Sequence, residues 1–408
     1  MGATGWELVD VVARWIHVIA ATMWVGNSLL FNWLDRNLEK PGPRSASGSI
    51  GEIWLLHSGA FYYVDKTLLG NQKMPKAMHW FFVQAFTAWG SGLVLLIAVY
   101  WAGGRAIMAD SSVAALTHFQ AVLIGTGAVF GGNILYQLTN QLLAPRAPKF
   151  AAVIWIGGLT AIAIALTQLL NGRAAFLHVG AMLGTIMATN VGRTILPSQR
   201  ELVQSIETGK GTDKAVSDRA KRVSIHNNYF TFPVILLMVS NHFSALYSNR
   251  YSWALLVIIF AVGALIRHIM NVRFTWAPWK PALGMTAISG LLLLYGMMWL
   301  GNSPNFTFGP GPSRLQLQQR STVTFTAVNL EEVRHVVDRR CAVCHSQTPV
   351  DLSFGVAPGG VVFDTPEQIM AHRSRILERA VVTRTMPPAN KTRISDEERA
   401  VLEAWARQ

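Results

Sequence analysis

The sharpest chemistry in the chain sits in Cys341-Ala342-Val343-Cys344-His345. Two thiols three residues apart can form thioether bonds to the two vinyl groups of one haem, and the adjacent imidazole then falls on the iron as proximal ligand. These are the only cysteines among 408 residues. A redox dithiol would want a βαβ setting, and a zinc site needs more soft ligands than remain. A six-coordinate iron also needs a second axial group. Met386, in Thr385-Met386-Pro387-Pro388, is the best placed, because the prolines would stiffen the loop that presents its sulfur. Met370 is the other downstream methionine, in a helix-like run (366–377) where packing is its expected role. A thioether ligand raises the potential, so one covalent haem c here would take electrons from something upstream and pass them on.

The elements that must position this group fall into two regimes. The chain is 51% hydrophobic, with a mean hydropathy of +0.31, yet its last eighty or so residues read as soluble. Eight apolar stretches approach the length needed to cross a hydrocarbon core: 11–34, 80–101, 113–143, 150–170, 174–191, 229–242, 253–271 and 281–300. The sixth is the shortest. The reading is all-α: an eight-helix transmembrane bundle (1–301), a flexible Pro, Gly, Ser and Gln rich linker (302–325), and a small class I cytochrome c-like domain (326–408). Within that domain a helix at 330–340 would enter the haem motif and a second at 396–407 would close it. Ser395 or Asp396 would cap the second, with Glu397 and Glu398 in its first turn. The first apolar stretch is too long for a cleavable signal and lacks a small-residue cleavage site.

Covalent haem attachment is expected on the periplasmic side of a bacterial inner membrane, and eight spans put the N-terminus there too. The loops then expected in the cytoplasm carry 17 Lys and Arg, against three (Arg105, Arg173 and Arg250) in the opposite loops. The net charge of +13 is therefore explained by membrane topology rather than by nucleic acid, for which there is no motif.

Ionisable groups at membrane depth are costly and point to function. On this topology His17, His118, His178 and His242 fall toward the periplasmic ends of their helices, and His57, His79, His226 and His268 toward the cytoplasmic ends. One or two b-type haems could be held by such imidazoles, with His17, His118 and His178 the first candidates. Nothing in the spacing fixes which pair would share an iron. Two stretches carry more polar chemistry than plain spans: 51–66, with Glu52, His57, Lys66 and several aromatics, which could dip into the bundle, and 226–242, which opens with His226-Asn227-Asn228 and closes with Ser240-Asn241-His242.

These residues resemble the membrane-bound, cytochrome c-containing urate oxidases (urate hydroxylases). The likeness covers nearly the whole chain: Arg14-Trp15-Ile16-His17-Val18-Ile19-Ala20 with Trp24, the 51–66 segment, the 226–242 run, and Cys341 to His345. It implies oxidation of urate to 5-hydroxyisourate in purine catabolism, with electrons leaving through the haem to a soluble cytochrome c or a terminal oxidase. Urate is an electron-rich monoanion near neutral pH, so its site would want a cation, aromatic stacking and a base. Glu52, His57, Lys66 and His226 are the residues expected around it. Two other readings remain open on the sequence: another haem-containing membrane dehydrogenase acting on a quinol or small molecule, and a non-enzymatic electron-transfer subunit. A transporter is disfavoured because no inverted repeat is visible.

Overall fold

A computed structural model describes residues 3–67, 75, 77–102, 108, 109, 113, 114, 116–209, 214–247, 249–302, 329–350, 357, 358, 361–382, 384, 386, 387, 390 and 392–408. The linker expected at 302–325 lies outside these residues beyond Asn302, as do the loop cations Lys73, Lys76, Arg105 and Lys210. The chain is mostly helical. Long apolar runs in hydrocarbon satisfy their backbone groups only as helices or closed barrels, and here they form helices. These are α1 (Ala3–Asn37), α2 (Phe82–Trp101), α3 (His118–Leu143), α4 (Pro148–Leu169), α5 (Gly172–Glu207), α6 (Lys214–Val239), α7 (Ser252–Val272) and α8 (Trp279–Asn302). Among the described residues seven of them, all but α6, are long and apolar enough to cross a membrane.

α5 is the centre of the bundle. It packs against α2, α3, α4 and α6, and its Ala174, Ala175, Phe176, Met182 and Ile186 are buried. α1 and α8 leave most of their surface outward, as lipid-facing helices would. Among the eight bundle helices, three contain a wider π-helical stretch in their described residues, at Leu96–Trp101, Thr139–Leu143 and Val191–Ile195. Each adjoins polar residues that matter below, and such stretches frequently re-aim side chains at functional sites.

Two expectations are corrected. The fold is mostly helical, as read, but the segment 51–66, which could have dipped into the bundle, adds one β element to it. That segment forms an antiparallel hairpin of β1 (Ser49–His57) and β2 (Ala60–Thr67), with Trp54 opposite Tyr63 and Leu56 opposite Phe61. Ser58 and Gly59 both have positive φ (52° and 76°), the geometry of a two-residue hairpin turn, and the flanking runs are rich in strand-favouring residues. The sixth span also differs. Instead of 229–242, α6 starts at Lys214 and ends at Val239, because the polar residues before Tyr229 extend the helix rather than cap it. α5 likewise runs past Val191 to Glu207.

In the C-terminal part α9 (Leu330–Arg340) and α10 (Asp396–Arg407) occupy the ranges read from the sequence and pack together. Val333, Val337, Phe363, Ile369, Leu402 and Trp405 fill the space between them. Ser395 caps α10 by accepting the Glu398 amide at 3.2 Å, and the Glu398 carboxylate accepts both the Ser395 amide and Arg340 at 2.9 Å.

The hairpin is tied to the chain leaving α1 through one carboxylate. Glu52 accepts from the Ser45 hydroxyl, from the Gly42 amide at 3.0 Å and from the Tyr63 hydroxyl at 2.8 Å. These hydrogen bonds, that of Ser45 first, hold its carboxyl below the usual range. A depressed carboxyl adds stability that is present above the unfolded pKa of about 4.3 and lost as pH falls through the folded value. Glu52→Gln should therefore speed hydrogen exchange of the hairpin amides at about pH 7 and have a progressively smaller effect as pH falls below about 4.3; an effect that does not shrink with falling pH would contradict this role.

Candidate functional site

The chemistry-bearing side chains gather in three places. In the C-terminal part, Cys341 and Cys344 follow α9 directly and carry no disulfide. Cys341 keeps some exposed surface but is densely surrounded, and burial pushes its thiol up to about 12. That is the reverse of the activated thiolate of a redox dithiol. His345 donates its Nδ1–H to the Val361 carbonyl at 3.0 Å, which fixes the ring and leaves Nε2 to a ligand. Burial holds this imidazole below its ordinary value, so it is neutral at physiological pH. Unbridged thiols and a neutral, oriented imidazole fit a covalently attached haem. Met386 is half-buried, and its carbonyl accepts from buried Arg399 at 3.1 Å while Arg399 also grips the Ala380 carbonyl. Met370 is 45% exposed. Thr385 and Pro388 lie outside the described residues.

A second group surrounds the end of α2. The Trp101 indole donates to His178 Nε2 at 3.1 Å, and His178 donates its Nδ1–H to Ala174 at 2.8 Å. His118 donates from Nε2 to the Trp101 carbonyl at 2.8 Å, and its buried Nδ1 has no partner. A Cβ at Gly125 would meet His178 Nε2 at 2.6 Å, so only glycine lets this imidazole lie there. Both His178 nitrogens are thus engaged, and ligation of an iron through Nε2 would require the indole to leave. His17 lies apart, its Nδ1–H on the Ala88 carbonyl at 2.8 Å and its ring against Gly92. His242 is exposed.

A third group, buried apart from the half-buried His226, lies where α3, α4, α5 and α6 meet. The Tyr136 hydroxyl lies 2.7 Å from His226 Nδ1 and accepts from Asn190 Nδ2 at 3.1 Å. Asn190 Nδ2 also reaches Asn227 Oδ1 at 2.8 Å, and Asn190 Oδ1 accepts from Gln137 at 3.0 Å. The Trp155 ring stands 5.4 Å from both Tyr136 and His226. On the next residue of α6, Asn228 accepts from Arg267 at 2.9 Å and from Asn271 at 2.7 Å, both on α7. The second and third groups share α5, where His178 and Asn190 are twelve residues apart, or about 18 Å along the axis.

Of the residues expected together, only His226 lies in this buried group. Glu52 fastens the hairpin, His57 is exposed beside the turn with its Nδ1 2.7 Å from Ser58 Oγ, and Lys66 pairs with Asp35 at 2.5 Å. Among the described residues no hydrogen bond, ion pair or ring contact joins them to His226. Sequence reasoning passed over Tyr136, Trp155, Asn190 and Arg267. The signal was there for Arg267, a charge inside the apolar run 253–271, where ionisable groups are functional by default.

Comparison with protein families finds a match over residues 3–300 to the family described as Urate oxidase N-terminal. Comparison with curated proteins and with solved structures gives no match.

Asn190 bridges three buried polar groups, so Asn190→Leu leaves several of them unpaired at once. Each orphan costs about 1–3 kcal/mol. The variant should show a clearly lower thermal midpoint in detergent, with the packing of α9 on α10 unaffected; an unchanged midpoint would show that the network carries no stability.

Proposed function

Since the chain belongs to the Urate oxidase N-terminal family, we propose that it is a membrane-bound urate oxidase that makes 5-hydroxyisourate and gives the electrons to its own C-terminal haem. The observation that carries the second half is His345, whose Nδ1–H is spent on Val361 beside two unbridged thiols. Cys341 and Cys344 would hold the haem, His345 and Met386 would bind its iron, and it would supply a one-electron acceptor.

The balance of the reaction sets what the residues must do. Urate and one water give 5-hydroxyisourate, two protons and two electrons, so no oxygen-binding metal is required. A base must take protons as the ring is oxidised and as water adds to the electrophilic carbon. His226 supplies it: in the tautomer whose Nδ1–H donates to Tyr136, Nε2 carries a free lone pair. Tyr136 and Asn190 hold that imidazole in register, and Trp155 offers a π-face beside it. This reading moves the chemistry from Glu52, His57 and Lys66 into the bundle, where solvent is excluded.

The distribution of Lys and Arg supports a topology with the N-terminus and the cytochrome domain in the periplasm and the His226 layer toward the cytoplasm. α6 then completes eight crossings, carrying its polar turn across within protein rather than lipid. Electrons would leave in two single transfers toward the Trp101 end and then to a soluble cytochrome c or a terminal oxidase. No step here is routed through a b-type haem.

Membranes containing the full chain should consume urate without forming stoichiometric hydrogen peroxide. His226→Ala should lower kcat by about 10²-fold or more with covalent haem content unchanged, the usual scale for a positioned base. Peroxide formed one-for-one with urate consumed, or full turnover by the variant, would overturn the assignment.

A further inference from the structure

Arg267 is 2% exposed in the middle of an apolar helix. Its Nε donates to Asn228 Oδ1, and its guanidinium stands 5.4 Å over the Phe232 ring. Its Nη2 is buried with no partner, and so is the side-chain oxygen of Asn271, which is bound to the same Asn228. A guanidinium stays charged in a protein. Yet among the described residues no ion pair includes Arg267.

The sequence leaves little that could neutralise it from within this half of the bundle. From residue 118 to residue 300 the only carboxylates are Glu201, Glu207, Asp213 and Asp218. Asp218, the nearest to Asn228 along α6, is ten residues away, or about 15 Å. Arg273, six residues on from Arg267, is a cation as well. A buried cation without a counter-charge opposes folding, so its place in the core calls for an anion from outside the chain.

The two orphaned atoms describe that anion. One is a charged donor and the other a neutral acceptor, and both belong to side chains already fixed by Asn228. Their complement is an edge that offers a negative oxygen or nitrogen beside an N–H. A planar purine monoanion has such an edge; chloride has no donor to give Asn271, and phosphate, whose O–H could donate, is tetrahedral and is told apart by the test below. We propose that Arg267, Asn271 and Asn228 form the recognition site for the purine monoanion, with the anion serving as the missing counter-charge of Arg267. Naming urate as that anion rests on the function proposed above, whereas the need for an anion rests on the burial of Arg267. Asn228 lies two residues from His226 on α6, so binding at Arg267 would bear on the same turn of helix that carries the base.

The test uses the full chain in detergent with its haem kept reduced, so that urate binds without turning over. The readouts are the thermal midpoint and the urate Kd by equilibrium dialysis. Urate should raise the midpoint of the native protein, while phosphate and neutral hypoxanthine should not. Arg267→Met should have an unliganded midpoint equal to or above the native one, because an uncompensated charge is gone, and should bind urate at least about tenfold more weakly. Asn271→Leu, which keeps the charge, should also weaken urate binding. A lower unliganded midpoint for Arg267→Met would make Arg267 a structural residue and overturn the proposal. Undiminished urate binding by Arg267→Met would place the substrate elsewhere and leave the urate reading standing. Equal stabilisation by phosphate would reduce the site to a general anion site and overturn the purine assignment. If native protein bound no urate and turned none over, the functional reading itself would fall, and only the charge argument, read from the unliganded midpoints, would remain.

Discussion

One turn of helix α6 carries three polar side chains in a row through the interior of an apolar bundle. In hydrocarbon an unpaired polar group costs several kcal/mol, so each must find its own partner. Successive helical residues point about 100° apart. His226 therefore reaches Tyr136 and Trp155, Asn227 reaches Asn190, and Asn228 reaches Arg267 and Asn271. These bonds fix the rotation and depth of α6 against neighbours on every side, and so fix α3, α5 and α7 against one another. They also explain why α6 alone among the long bundle helices fails as an apolar span: its polarity is used internally.

The same constraint separates the chain's tasks. The His226 layer and the Trp101, His118 and His178 layer lie about 18 Å apart on α5, joined by packed Ala, Gly, Met and Ile rather than by further ionisable groups. In the proposed function protons are handled in one layer, and electrons leave past the other toward the C-terminal haem site. A haem accepts one electron at a time while the substrate gives two, so the base layer must hold a half-oxidised substrate dry between transfers. The half-buried His226 lies against the buried rings of Tyr136 and Trp155, the latter backed by Phe230, which suits that demand.

How much of this could be read from the sequence follows the range of the interactions. The helices at 330–340 and 396–407 announce themselves by their own caps, so their bounds were legible, and Cys341 to His345 is a local motif on which the proposed haem rests. The apolar runs marked the spans, because hydropathy is local too. The hairpin was misread because Glu52, His57 and Lys66 were weighed as polar residues amid aromatics, while the Ser58-Gly59 turn between two strand-like runs went unused. His226 was singled out in the sequence as an ionisable group beside an apolar run. Its partners Tyr136 and Asn190 lie 90 and 36 residues away in the chain, and no spacing rule joins them. The engagement of both His178 nitrogens and the orphaned donor of Arg267 are likewise properties of packing that appear only in three dimensions.

The most direct test of the central claim is a visible spectrum of the purified full chain, oxidised and free of dioxygen, on addition of urate. The account predicts that the c-type haem is reduced as 5-hydroxyisourate appears, with two haem equivalents reduced for each molecule of product. A haem that stays oxidised with urate, yet is reduced by a quinol, would contradict it and make the chain a dehydrogenase for another donor.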